Sequence, residues 1–280
     1  MPLSVFCIVL FSAALHASWN ALVKFGSDKL LSTAMVTAAS AVIAIAVLPF
    51  LAQPAAASWP YIGASVLLQL VYFRLLAAAY HSADMSLCYP IMRGCAPLLV
   101  AVAGALSVGE ALPLQAWFGV AAICVGILGM ASGVGNMPRA NRRGALLAFL
   151  NAFFIAGYTL VDGMGVRRSG SPFGYTLWIF LITGVVFSAF TCLTRGTDLL
   201  RLLRQRWRSG LVGGAGSAAS YGIALWAMTM APVAVVAALR ETSILFGALI
   251  AVLLLKEKMD LRQGAAIGVI VLGAALLRTA

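Results

Sequence analysis

Charge is scarce in this sequence. Charged side chains make up 10% of its 280 residues, with 8 Asp+Glu and 2 His in the whole chain, while 62% of the side chains are hydrophobic. The mean hydropathy is +1.01. A soluble domain carries about 25% charge, so lipid rather than water is the solvent this composition fits. A bilayer core about 30 Å thick takes roughly 20 helical residues per crossing, which allows up to about ten crossings here. Nothing of useful length is left for a soluble catalytic or nucleic-acid-binding domain. The five cysteines (Cys7, Cys88, Cys95, Cys124 and Cys192) all lie in apolar stretches, with no CxxC pair and no neighbouring His. That pattern argues against zinc and structural disulfides and for use as small buried hydrophobes. No metal and no cofactor are expected. The opening segment has no basic residue ahead of its apolar run, so it reads as a retained first helix rather than a signal peptide.

What is present is a series of apolar runs bounded by charge, Gly or Pro. They fall at about residues 3–23, 30–51, 59–80, 84–106, 111–133, 144–163, 172–194, 210–230, 233–255 and 261–277. The pattern predicts an all-α polytopic membrane protein of ten transmembrane helices. It divides into a first set of five over residues 1–135, a basic linker over 136–143 and a second set of five over 144–280.

The halves match without gaps at a spacing of 147 residues, which pairs Arg93 with Arg240, Glu110 with Glu257 and Gly126 with Gly273. Matches of small residues are cheap in such a chain, whereas coincident Arg and Glu matches are not. Five is odd, so the second copy enters the membrane from the opposite side. The expectation is two inverted five-helix repeats, an arrangement that many secondary transporters use to alternate access around a midplane site. Of the 19 basic residues, thirteen fall in loops that follow odd-numbered spans, three (Arg167, Arg168 and Arg278) on the opposite side, and three (Arg74, Arg93 and Arg240) inside spans. The positive-inside rule then puts the odd loops in the cytoplasm and both termini outside. The net charge of +11 is in this light an orientation signal rather than a polyanion-binding one, and nucleic acid is not an expected partner.

Three segments, HASWNALVKFG, YPIMRGCAPLLVAVAGALSVGEALPLQAWFGVAAICVGILGM and LLLKEKMDLRQGAAIGVIVLGAALL, resemble the EamA-like branch of the drug/metabolite transporter superfamily. The early segment and the chain length are also similar to a subgroup associated with phosphonate utilisation. The resemblance implies ten helices in two inverted repeats and gradient-driven movement of small metabolites, often amino acids or other polar compounds and often outward. It also implies termini in the cytoplasm, opposite to the charge bias. The second half has Ile244 where the first has Pro97, so a kink expected in the fourth helix is expected to lack a partner in the ninth.

Arg93 and Arg240 are the leading site candidates. Each lies well inside a span, where an arginine costs at least about 2.5 kcal/mol and marks function or pairing. Inversion would bring both to one cavity, and a guanidinium recognises carboxylate or phosphate bidentately. Glu241 is expected to neutralise Arg93 or to carry protons. His16 and Asn20 share a face of the first span, beside Trp19, and Tyr158 belongs to a polar stripe of the sixth that includes Asn151 and Asp162. Tyr89, Tyr221 and Trp226 are candidate aromatic walls. Asp162, at the predicted end of its span, is expected to cap a helix or make an interfacial ion pair. Glu110 and Glu257 are expected to cap the fifth and tenth spans, and the RLLRQRWRS run to anchor on anionic lipid as a loop.

These readings give a secondary transporter in a membrane, the bacterial inner membrane by family resemblance, moving an anionic or zwitterionic amino acid- or phosphonate-like metabolite, with protons as a candidate coupling ion. The alternatives are a multidrug or cation exporter, a channel, or an intramembrane enzyme built on Ser217 with one of the two histidines, His16 or His81. The enzyme reading lacks a GxSxG elbow.

Overall fold

The computed structural model describes residues 1–24, 28–107, 109–131, 139–255 and 260–280. Lys256, Glu257 and Lys258, and residues 136–138 of the linker, lie outside this set. Eleven α-helices run through the described residues: α1 (Leu3–Lys24), α2 (Lys29–Val47), α3 (Trp59–Ser82), α4 (Met85–Ser107), α5 (Leu114–Gly129), α6 (Arg139–Ser169), α7 (Pro172–Arg195), α8 (Asp198–Met228), α9 (Val233–Arg240), α10 (Ser243–Leu255) and α11 (Leu261–Thr279). Nine described helical segments are long and apolar enough to cross a membrane, and α5, also apolar, is shorter. The ninth span is α9 and α10 together, so the protein is an all-helical, multi-pass membrane protein.

Helix starts follow local chemistry. Pro60 and Pro172 stand in the first turns of α3 and α7, where a missing N–H costs nothing. The Asp28 side chain accepts from the Leu31 amide at 3.1 Å to cap α2. Asp260, rather than Glu257, caps the last helix, in a reciprocal capping box with Gln263.

Three boundaries differ from the sequence reading. First, α6 extends past residue 163 to Ser169, which places Asp162 inside the helix instead of at its end. Second, the RLLRQRWRS run is helical: it forms the first part of α8, which kinks at Arg206 (φ −124°, ψ 30°) before the membrane-embedded part. Third, the expected kink asymmetry is reversed. α4 runs unbroken through Pro90 and Pro97, whereas the ninth span breaks at Glu241 and Thr242. There the backbone tightens into three-residue turns, with the Glu241 amide donating to Ala238 O at 3.1 Å and Thr242 to Leu239 O at 3.1 Å. The Thr242 hydroxyl also donates to Leu239 O, at 2.6 Å, competing with helical pairing.

Packing is symmetric under exchange of the halves. α3 packs on α6 as α1 packs on α8, and α4 on α6 as α1 packs on α9 and α10. α5 and α11 meet along glycines: a Cβ on Gly126 would lie 2.9 Å from Ala266 O, and one on Gly273 would lie 2.8 Å from Gly119 O. Those two contacts exchange at the 147-residue spacing, and so do two caps. Gln115 Nε2 donates to Leu276 O at 3.3 Å near the end of α11, and its counterpart Arg262 donates to Gly129 O at 3.0 Å at the end of α5. Elsewhere hydroxyls join helices, as in the reciprocal Ser12 and Ser220 bonds of 2.7 and 2.9 Å between α1 and α8. Of the cysteines, Cys88 and Cys124 are buried and Cys95 and Cys192 partly so, while Cys7 is exposed on the outer face of α1, contrary to its expected burial.

Small residues set this approach, so bulk there should be costly. Gly126→Val is expected to lower stability by about 1–3 kcal/mol through overpacking. Gly268→Ala, where nothing lies within 4 Å of the new Cβ, is expected to be silent. Thermal unfolding in detergent checks both, and a Gly126→Val protein as stable as wild type would contradict the close packing.

Candidate functional site

The break in the ninth span lies against a cavity of about 950 Å³. Non-helical backbone at membrane depth is tolerated where protein buries it or it borders a cavity, and Glu241, Thr242 and Ser243 are all buried. Arg240 closes α9, where a cation favours the helix dipole. From α4, Arg93 approaches the same break. Pro97 supplies no amide to the Arg93 carbonyl one turn earlier, and Gly94 lets α4 lie close to α5, since a Cβ there would be 2.9 Å from Leu128 Cγ.

The two arginines have different partners. Arg93 Nε lies 2.7 Å from Glu241 Oε2, and both side chains are nearly buried. Arg93 Nη2 lies 3.2 Å from His16 Nε2. A guanidinium only donates, so that nitrogen of His16 carries no proton. The Arg93 guanidinium is also 6.0 Å from the centre of the Tyr89 ring. Arg240 is buried and stacks over Tyr221 at 4.9 Å, and among the described residues it forms no ion pair or hydrogen bond. Its Nε has no partner. The sequence ranks Arg93 first, but the guanidinium left free to take an anion is that of Arg240.

His16, Asn20, Tyr89, Arg93, Tyr158, Tyr221 and Arg240 all line the cavity. Asn20 turns its amide to the His16 carbonyl of its own helix, at 2.8 Å. Glu241 is set behind the cavity wall, sharing a much smaller void with Arg93 and Arg240. Trp226 does not line the cavity: it packs against the main hydrophobic core. Arg74 points elsewhere, 5.9 Å from the Phe190 ring, and Asn151 donates to Met92 Sδ at 3.0 Å between α6 and α4.

The sequence reading missed Asp162. Its side chain is fully buried and neither caps a helix nor lies at an interface; it accepts from Tyr175 OH at 3.1 Å and from Tyr221 OH. The signal was the Asn151, Tyr158 and Asp162 stripe itself. The stripe stays inside the helix because α6 runs on to Ser169.

Access is one-sided. The cavity lining reaches Asp28, His81, Met85 and Gln263 at the odd-loop ends of the helices, and no described residue of an even loop borders it. On the even side, Glu110 pairs with Arg167 at 2.6 Å and accepts from the Val233 amide at 3.0 Å. Arg167 in turn donates to Met228 O at 2.8 Å and Ala231 O at 3.0 Å. Glu110 therefore caps α9 rather than the fifth span, and with Arg167 it ties the loop after α4 to α6, α8 and α9.

Residues 142–279 match the EamA-like transporter family, so an EamA-like domain occupies the second half of the chain. A solved structure described only as "Crystal structure of protein" superposes with a TM-score of 0.74 at 18% identity, covering 97% of this chain and 94% of that one. At that identity the likeness shows the fold. No curated protein matches the chain.

Charge-assisted hydrogen bonds are worth about 1.5–3 kcal/mol each, so the even-side tie should hold that face shut. In a cysteine-free background carrying Ala234→Cys, just beneath the tie, Glu110→Gln is expected to speed labelling by a membrane-impermeant maleimide from the even side by at least about tenfold. Unchanged labelling would show that closure does not depend on this tie.

Proposed function

We propose, starting from the EamA-like transporter domain at residues 142–279, that the whole chain is a secondary transporter moving a small anionic or zwitterionic metabolite by alternating access. The two halves act as inverted repeats, a reading supported by the exchange-symmetric contacts of α5 with α11. The observation that carries the substrate class is Arg240, a buried cation bordering the cavity that has no anion or hydrogen-bond acceptor on it among the described residues. A buried guanidinium whose donors are unmet is costly, and a carboxylate, phosphonate or phosphate entering the cavity would satisfy them through two parallel charge-assisted bonds. Amino acid-like and phosphonate-like solutes both meet this requirement.

The cavity is open to the odd-loop side and tied shut on the even side. With the odd loops carrying most of the basic residues, the positive-inside rule makes this an inward-open state, in a bacterial inner membrane on the family reading. The aromatic wall of Tyr72, Tyr89, Tyr158 and Tyr221 favours a second reading, export of an organic cation held by ring faces. The free charge of Arg240 opposes it.

A thermal-shift screen against amino acids, phosphonates, organic phosphates and hydrophobic cations separates the two. Anions are expected to stabilise the wild type, by about 2.7 kcal/mol at one hundred times Kd. Arg240→Gln removes a buried charge with no direct partner among the described residues, so it should unfold no earlier than wild type while binding anions about 10- to 100-fold more weakly. Arg93→Ala, which strands Glu241, should instead cost about 3–5 kcal/mol of stability. Stabilisation by hydrophobic cations alone, or undiminished anion binding in Arg240→Gln, would reject the anion reading.

A further inference from the structure

Asp162 is the one carboxylate among the described residues that is fully buried without an ion pair. Both of its oxygens are held by phenols, Tyr175 from α7 and Tyr221 from α8, with Ser65 of α3 as a third hydroxyl neighbour. A carboxylate accepts from all of these. A protonated carboxyl needs an acceptor for its one hydrogen, and a phenol or serine oxygen provides it once the hydroxyl rotates. The pocket can thus satisfy either form without moving a helix.

Asp162 is also linked to the candidate anion site through a single ring. Tyr221 donates to Asp162 and lies under the Arg240 guanidinium, 4.9 Å from its central carbon. The other titratable or charged neighbours are Tyr158 one turn earlier on α6, Tyr61 of α3 beside Tyr175, Arg167 toward the even end of α6, and the Arg93 and Glu241 pair beyond Arg240. Arg167 is committed to Glu110, and Arg93 to Glu241. Among the described residues, Arg240 is therefore the uncommitted cation that supports a charge on Asp162.

Counting the buried charges gives two arginines against Glu241 and Asp162, and His16 is neutral at the nitrogen that faces Arg93. These buried charges sum to zero. A monoanion arriving on Arg240 alone would leave one uncompensated negative charge in a medium of low dielectric, which is expensive. One proton added to an Asp162 oxygen cancels it, and the pair leaves the site charge unchanged.

We propose that Asp162 is a proton-binding site coupled to Arg240, taking up one proton when an anion neutralises that arginine and releasing it when the anion leaves. The coupling rests on the transporter reading above and gives it a mechanism, co-movement of anion and proton in one direction. The sequence points to Glu241 as the candidate proton carrier, but its ion pair with Arg93 gives it a structural charge to balance.

Infrared difference spectroscopy of the purified full-length protein during a pH titration tests the site without any substrate, so it stands apart from the anion screen. A protonated-carboxyl stretch is expected in wild type at low pH, lost on raising the pH, and missing in Asp162→Asn. Arg240→Gln, which mimics a neutralised arginine, should keep that band to a pH about one unit higher. Should Asp162→Asn fail to fold, Tyr175→Phe and Tyr221→Phe each remove one hydrogen bond to the carboxyl and identify the band by shifting its frequency. A spectrum with no titrating band that responds to these variants, or a band whose titration ignores Arg240→Gln, overturns the proposal.

Discussion

The structure is organised around the cost of charge in a medium that cannot solvate it. Two arginines stand at membrane depth on helices from opposite halves of the chain, and each must be answered. Glu241 answers Arg93 directly at 2.7 Å. To reach it, the ninth span breaks at the residue after Arg240, so that an acid adjacent in sequence to one arginine serves the other. A continuous helix would put successive side chains about 100° apart. The turn at Glu241 and Thr242 spends helical hydrogen bonds to set these directions, and surrounding protein keeps the freed backbone away from lipid.

The same constraint explains why closure lies where it does. On the even side, buried backbone groups at the end of α8 and the start of α9 have no water to bond. Arg167 supplies donors to the first and Glu110 an acceptor to the second, and their mutual ion pair then closes that face. On the odd side the helices splay around the cavity and solvent can do that work. The tie is partly exposed, which keeps its contribution modest.

Most of the architecture was legible in the sequence because lipid imposes a simple rule: apolar runs of crossing length are helices. The multi-pass helical architecture, the approach of Arg93 to Arg240 and the 147-residue correspondence all followed from that rule and from the rarity of charge. Helix ends were less legible. α6 runs past Asp162 to Ser169 because Arg167 and Arg168 are good helix formers and Arg167 can bond the end of α8; composition marked the arginines as loop. The break at Glu241 was also invisible, since neither Gly nor Pro stands there, whereas Pro97 signalled an interruption that α4 absorbs. Which of two equivalent arginines is neutralised could not be read from their spacing, because it depends on where one carboxylate points across a helix gap.

That last difference is where symmetry turns into function. At the 147-residue spacing Arg93 corresponds to Arg240, but the next residue is Gly94 in the first half and Glu241 in the second. Glycine there serves packing, letting α4 approach Leu128 of α5. Glutamate serves charge. Had both halves kept glycine, two stranded guanidinium groups would repel each other at the midplane; had both kept glutamate, both arginines would be neutralised and nothing in the cavity would select an anion. One acid between two arginines leaves a single open valence, on Arg240, with Asp162 behind Tyr221 as its distant counter-charge. On the transporter reading proposed above, the inverted frame would supply two equivalent ways to open, and the unequal residue at this one position the reason for an anionic solute to enter.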